Sequence, residues 1–186
     1  MRHPLFVVAG PPACGKIELV TRILEIFPEM KRITTHTTRK PRKGETPDRA
    51  YTFISDEEFT CSKQKGLIAE YSLTHGHYHG TFKEQLYGAL EHGPSIIIRD
   101  PEGADKLFAL IPDATFIFIL APENEISERL RGRCHTKEEL NARMQDVRNE
   151  ALCAMHAQYG CILNNAEHRK DKALRTLVRF IMEILG

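Results

Sequence analysis

The stretch LFVVAGPPACGKIELV, Leu5 to Val20, narrows the folding possibilities more than any other. An apolar run, Leu5–Ala9, stops at Gly10. Gly15 and Lys16 follow, and then Ile17, Leu19, Val20, Ile23, Leu24 and Ile26 recur at helical spacing until Phe27-Pro28. The pattern predicts a buried parallel strand, a tight turn and a helix. Gly-x-x-x-x-Gly-Lys at such a junction is a phosphate-binding loop. Its glycines let the backbone curl so that N–H groups face a phosphate. The helix N-terminus adds a partial positive charge, and Lys16 would neutralise the outer phosphates of a nucleoside triphosphate. The nucleotide-loop candidates are therefore Gly10, Pro11, Pro12, Ala13, Cys14, Gly15, Lys16 and Ile17. The plainer alternative is a strand–turn–helix with a chance Gly-Lys pair.

Ile17 stands where such a loop usually carries a serine or threonine that helps hold magnesium. Valued as one charge-assisted contact, the lost ligand costs roughly 1.5–3 kcal/mol, or about ten- to a hundredfold in rate. Magnesium leans mainly on substrate phosphates and water, so the loss slows chemistry without abolishing it. On structural grounds alone, Ile17 would join Val20 and Leu24 on the core face of the helix.

Strands continue to alternate with helices along the chain. Arg32–Thr38 reads as extended, Arg39–Arg49 as a charged loop, and Tyr51–Ile54 as a strand. Ser55 with Glu58 forms a capping-box signature. Leu73–Thr81 reads as strand and turn, and Phe82–Glu91 as a helix. Ser95–Asp100, Ala114–Leu120 and Cys161–Leu163 are short apolar runs. Glu123–Arg131, Lys137–His156 and Lys172–Leu185 are helical, the last with a clear apolar side. This alternation implies an α/β fold with a parallel sheet and ligands at the strand carboxyl ends.

The 186 residues suit one domain, with 41% hydrophobic and 27% charged residues. A net charge of +1 gives no global field for nucleic acid or membrane, so any anion site must be local. The basic, apolar start is too short for a signal peptide and runs straight into the phosphate loop. Five cysteines without a Cys-x-x-Cys pair read as reduced thiols of a cytoplasmic protein. Cys14 within the loop could react with oxidants, or could simply fill a tight turn.

A second anion site is suggested by Thr37-Thr38-Arg39-Lys40-Pro41-Arg42-Lys43-Gly44-Glu45, with four cations and two hydroxyls in nine residues. Arginines three apart can grip one phosphate. A basic loop is often only solvated, but beside a nucleotide loop it suggests a phosphorylated acceptor.

With this segment the chain resembles the guanylate kinase family over almost its whole length. The matching landmarks are the Gly10–Lys16 loop, Thr37-Thr38-Arg39-x-Pro41-Arg42-x-Gly44-Glu45, Tyr51-x-Phe53 and Glu70. Tyr78-x-Gly80-Thr81, Arg129-Leu130-x-x-Arg133 with Arg143, and Asn164-Asn165 complete them. The resemblance implies a three-layer P-loop kinase core with a parallel sheet, a small mixed GMP-binding subdomain and a helical lid. Core would be 1–34, 82–125 and 146–186, the GMP-binding subdomain 35–81 and the lid 126–145, all within one domain, 1–186. It implies phosphoryl transfer from ATP to GMP or dGMP with Mg2+, by a monomer or weak homodimer.

Carried over by resemblance, Arg39, Arg42 and Tyr51 hold the GMP phosphate and Glu45 supports that site. Thr35, Glu70 and Thr81 read the guanine edge. Arg129, Arg133 and Arg143 close on the ATP phosphates, and Asn164 lies near the adenine. Lys16, Arg39, Arg133 and Arg143 are the catalytic candidates, and no protein metal ligand is assigned. The plainer reading of the lid cations is a salt-bridged surface helix. His79 stands where the family usually has a second phosphate-binding tyrosine, so acceptor binding is expected to weaken as pH rises through an imidazole pKa near neutrality. Around Arg99-Asp100-Pro101-Glu102-Gly103 the family pattern of two aspartates reads as shortened, leaving Asp100 alone. Ala50 replaces an acidic residue.

His75, His77 and His79 alternate, which on a strand places all three on one face. No carboxylate or cysteine ligand accompanies them, so a native metal site is not expected. Two other readings fit parts of the pattern: a catalytically weakened domain that binds phospho-ligands, and a small kinase with another phosphorylated acceptor.

Overall fold

The computed structural model describes residues 3–41, 51–132, 134, 136–155 and 159–186. Its elements run β1 (Leu5–Ala9), α1 (Lys16–Ile26), β2 (Lys31–Ile33), β3 (Thr35–Thr37), β4 (Tyr51–Phe53), α2 (Asp56–Gln64), β5 (Ile68–Thr74) and β6 (His77–Phe82). They continue with α3 (Lys83–His92), β7 (Ser95–Ile98), α4 (Pro101–Leu110), β8 (Thr115–Leu120), α5 (Glu123–Arg131), α6 (Lys137–Cys153), β9 (Cys161–Asn164) and α7 (Lys170–Leu185).

Five strands form a parallel sheet in the order β2-β7-β1-β8-β9. The strand alternation divides its side chains between two cores. Phe6, Val8, Ile96, Ile98, Ile117 and Ile119 face one layer, where α1, α5, α6 and α7 supply apolar residues such as Leu19, Ile126, Val147 and Leu177. Leu5, Val7, Ala9, Ile97, Phe116 and Phe118 face the other, against Leu86 and Leu90 of α3 and Leu107 of α4. A sheet covered on both faces needs strands that are apolar throughout, which is why these runs show no polar alternation. The expected α/β architecture with a parallel core sheet is thus present.

The second sheet, β4-β3-β6-β5, is mixed: β3 pairs parallel with β4 and antiparallel with β6, and β5 pairs antiparallel with β6. One residue, Thr34, separates the core strand β2 from β3. At the far end β6 runs directly into α3. The two sheets are therefore joined by very short connections, and residues at the junction, Thr35 and Thr81, are buried.

Pro101–Leu110, to which the sequence reading assigns no element, is α4; Asp100 caps it by accepting from the Gly103 N–H, and Pro101 occupies its first turn. One local expectation needs correction. The histidine strip is not a strand face. His75 and Gly76 form the two-residue turn between β5 and β6, with φ of 51° and 76°. Only His77 and His79 lie on β6, while His75 pairs with Asp146 at 3.7 Å.

Candidate active site

The phosphate loop is shaped by two glycines that nothing else could replace. Gly10 has φ of +143°, and a Cβ there would lie 2.2 Å from the Ile119 carbonyl oxygen. Gly15 has φ of +96°, and a Cβ there would meet the Asn165 amide nitrogen at 2.2 Å. Gly15 caps α1 without a side chain, so no side-chain oxygen competes for the first-turn N–H groups. The Lys16 ammonium lies over the loop, donating to the carbonyl oxygens of Gly10 and Pro11, the latter at 2.8 Å. Pro11, Pro12 and Ala13 complete the turn, Ala13 with φ of 58°.

Cys14 is fully buried in the core, and burial pushes its thiol above the ordinary range, so it is a space-filling residue rather than a reactive one. Asn165 fastens the loop from below. Its Nδ2 donates to the Cys14 carbonyl at 2.9 Å and its backbone N–H to Leu120 at 2.7 Å. Neighbouring Asn164 turns away and accepts from the Ala166 N–H at 3.1 Å. Ile17 is 45% exposed, which corrects the expectation that it joins the core face of α1. The core positions of that helix are Leu19, Val20 and Ile23.

Of Arg129, Arg133 and Arg143, the arginines expected to close on ATP, two are described. Arg129 donates to the Ala13 carbonyl at 3.1 Å and to Glu125 and Glu167 at 3.0 and 3.3 Å, so it touches both the loop and a carboxylate pair. Arg143 is held along its own helix by Glu139, at 3.1 and 3.2 Å. Arg133 lies outside the described residues, as do Arg42 and Glu45.

In the second sheet, Arg39, Tyr51 and His79 gather at one place. The Arg39 guanidinium lies 5.3 Å from the Tyr51 ring centre, and the Tyr51 and His79 rings are 5.9 Å apart. Thr37 links them, accepting from the Arg39 N–H at 3.2 Å with its hydroxyl 3.5 Å from His79 Nε2. Burial first, and then the positive charge of Arg99, push the His79 imidazole down to about 4. It is therefore neutral between about pH 6 and 8, and the expected weakening of acceptor binding across that range does not arise from His79.

Behind this cluster lies a buried polar network. The Thr81 hydroxyl donates to Glu70 Oε1 at 2.5 Å, and Arg99 Nη2 donates to Glu70 Oε2 at 2.7 Å. Ser72 donates to Asp100 Oδ2 at 2.6 Å and accepts from Arg99 at 3.2 Å. Thr35 lies beside it at the sheet junction, its hydroxyl donating to the Ile98 carbonyl at 3.4 Å. Burial raises the Glu70 carboxyl, with Arg99 and Thr81 opposing. Asp100 also feels burial, but Arg99, Ser72 and the Gly103 N–H together outweigh it and leave its carboxyl below the ordinary range.

Arg99 and Ser72 were not among the sequence candidates. An arginine directly after the apolar run Ser95–Ile98, with a glycine four residues on, was the available signal for Arg99. Glu150 of α6 was missed too. Burial pushes its carboxyl up to about 7, Lys16 opposes, and Asp100 and Asp146 reinforce the shift. Its carboxyl thus lies within electrostatic reach of both the Lys16 ammonium and the Asp100 carboxylate. A separate cavity of about 780 Å³ lies between α5 and α6, bordered by Glu123, Ser127, Arg131, Leu140, Met144 and Arg148. None of the loop or acceptor residues lines it.

The family model described as guanylate kinase matches residues 2–184. The chain belongs to the guanylate kinase family. A guanylate kinase of Syntrophotalea carbinolica is 38% identical over 149 residues, 78% of this chain and 71% of that protein. One of Polaromonas sp. is 33% identical over 177 residues, 94% of this chain and 85% of its own. The crystal structure of guanylate kinase from Anaplasma phagocytophilum shares the fold with a TM-score of 0.73 at 23% identity, covering all of this chain and 88% of that one.

Proposed function

We infer that this chain transfers the γ-phosphoryl group of ATP to GMP or dGMP, giving ADP and GDP or dGDP. The observation that carries the reading is the Glu70–Thr81 pair, a buried carboxylate and hydroxyl at the sheet junction, beside the Arg39–Tyr51–His79 cluster. A carboxylate accepts from the N1–H and N2 amino groups of guanine; adenine lacks that donor pair. A buried acceptor left unpaired by the wrong base discriminates strongly.

In this reading Gly10–Ile17 cradle the ATP phosphates, with Lys16 leaving its carbonyl partners for the β- and γ-phosphates. Arg39 and Arg42 grip the GMP phosphate with Tyr51 and His79. Glu45 supports them, and Thr35, Glu70, Thr81 and Asp100 hold the base. Arg129, Arg133 and Arg143 close over the transferring group, with Asn164 near the adenine. Chemistry comes from positioning and charge neutralisation, since a largely ionised phosphate nucleophile scarcely needs a general base. Lid closure excludes water and limits idle ATP hydrolysis.

The Ile17 side chain offers no oxygen, so a magnesium ion would be held by the ATP phosphates and its own waters. Such an ion would neutralise charge on the β- and γ-oxygens. The proposed divisions are a core of 1–34, 82–125 and 146–186, an acceptor subdomain of 35–81 and a lid of 126–145. Five free cysteines fit a cytoplasmic enzyme, working as a monomer or weak homodimer.

Ile17 keeps a second reading alive, that of a slow or silent family member that still binds acceptor. A coupled ADP-release assay with each nucleoside monophosphate, with and without magnesium, separates the two. Turnover confined to GMP and dGMP is expected. GMP binding without turnover would favour the second reading.

A further inference from the structure

Arg99 follows β7 and turns inward, so that its side chain and that of Glu70 are each 1% exposed. Its Nη2 donates to Glu70 at 2.7 Å, Ser72 at 3.2 Å and the His79 carbonyl at 3.3 Å, and lies 3.8 Å from Asp100 Oδ2. The guanidinium lies against Gly103, where an added Cβ would approach Nε and Nη2 to 2.4 Å. Gly103 is therefore what admits an arginine here. A buried ion pair is weak evidence for stability, because apolar residues of similar volume often serve as well or better. The pair invites a functional explanation.

We propose that Arg99 is a specificity-determining positioning residue, which holds Glu70 as a fixed anion so that the acceptor base must present two hydrogen-bond donors. The proposal rests on the reading of Glu70 as the base-reading carboxylate. An ionised carboxylate only accepts, and has about four lone-pair positions. Thr81 uses one on Oε1 and Arg99 one on Oε2, leaving capacity on each oxygen for the N1–H and N2–H of guanine. A protonated Glu70 would carry an O–H donor, which suits the N1 acceptor of adenine. The charge on Glu70 thus decides which purine fits.

The surroundings leave that charge to Arg99. Burial and Asp100 both favour the protonated carboxyl, while Thr81 contributes one opposing hydrogen bond. His79 faces the network from β6 but is neutral near pH 7. Arg39 lies beyond His79, against the rings of Tyr51 and Phe53. Among the described residues, Arg99 is the cation in direct contact.

The test compares kcat/KM for GMP and AMP from pH 6 to 9 in the wild type, Arg99→Met and Arg99→Lys. The wild type should keep a constant AMP-to-GMP ratio. In Arg99→Met, GMP efficiency should fall at least about tenfold towards pH 6 and the AMP-to-GMP ratio should rise by a similar factor, as a buried carboxyl that has lost its cation, shifted about two and a half units or more above the ordinary glutamate value, protonates. Arg99→Lys should restore most of the flat profile. A folded Arg99→Met with the wild-type ratio at every pH overturns the proposal. Should that variant not fold, 13C NMR of the Glu70 carboxyl in the wild type decides: an ionised signal at pH 7 is expected, and a protonated one overturns it. Glu70→Gln separates the underlying reading. If it leaves the KM for GMP unchanged, the base-reading role itself falls. If it impairs GMP binding while Arg99→Met stays flat, only the role of Arg99 does.

Discussion

In the proposed function the phosphate loop and the acceptor pocket would each hold an anionic nucleotide, by opposite means. The loop works through main-chain groups and one ammonium within Gly10–Lys16, a single short segment. The pocket works through buried side chains drawn from Thr35, Glu70, Ser72, Thr81 and Arg99, brought together from separate strands. The first is local, so backbone conformation carries it; the second is non-local, so it depends on the register of β3, β5 and β6 and on the turn of the chain after β7. Substitutions in the loop should therefore strike the rate, and substitutions in the pocket should strike acceptor choice and affinity.

The largest separation is expected for Lys16→Met. It should lower kcat by about 10²–10³-fold, in line with removing one preorganised transition-state contact, while the KM for GMP changes little. A large rise in that KM instead would merge the two regions. Glu70→Gln should do the reverse, raising the KM for GMP about ten- to a hundredfold with the KM for ATP nearly unchanged, by steady-state kinetics. Ile17→Ser supplies the missing hydroxyl at an exposed position, so it should raise kcat by about ten- to a hundredfold. An unchanged kcat would mean that water already does the work of the hydroxyl.

The smallest effect concerns pH. The folded His79 lies near 4, below the ordinary imidazole value of about 6.5. Its neutral form is therefore favoured by folding. The stability linked to it is complete above about pH 6.5 and is lost as pH falls towards 4, because the unfolded chain takes up the proton first. Urea midpoints between pH 7 and 4.5 should drop further for the wild type than for His79→Asn. Equal drops would show that His79 is not the group responsible.

The same contrast governs what could be read in advance. The Leu5–Ile26 strand, turn and helix follow from local pattern, and the parallel sheet follows from uniformly apolar runs. Arg39, Tyr51, Glu70 and Thr81 are proposed as acceptor residues through family resemblance alone, since no local signal marks a carboxylate that will face a hydroxyl eleven residues away. Arg99 escaped notice because arginine is normally a surface residue; only the fold reveals the glycine in α4 that makes room for it. The start of α4 is written in the sequence, in its aspartate cap and first-turn proline, but its Pro101, Gly103 and short length weaken the helical signal. Ile17 was assigned to the core by periodicity alone, yet it lies one residue into α1, before the buried face begins.

The proposed function requires a main-chain phosphate site and a side-chain acceptor site to share one cleft. Calorimetric titration with adenosine and guanosine joined through five phosphates tests it most directly. Linking the two ligands should give an affinity well beyond that of ATP or GMP alone, by about 10²-fold or more if both sites are reached together. Affinity no greater than that of ATP by itself, with GMP still able to bind alongside the linked molecule, would contradict it.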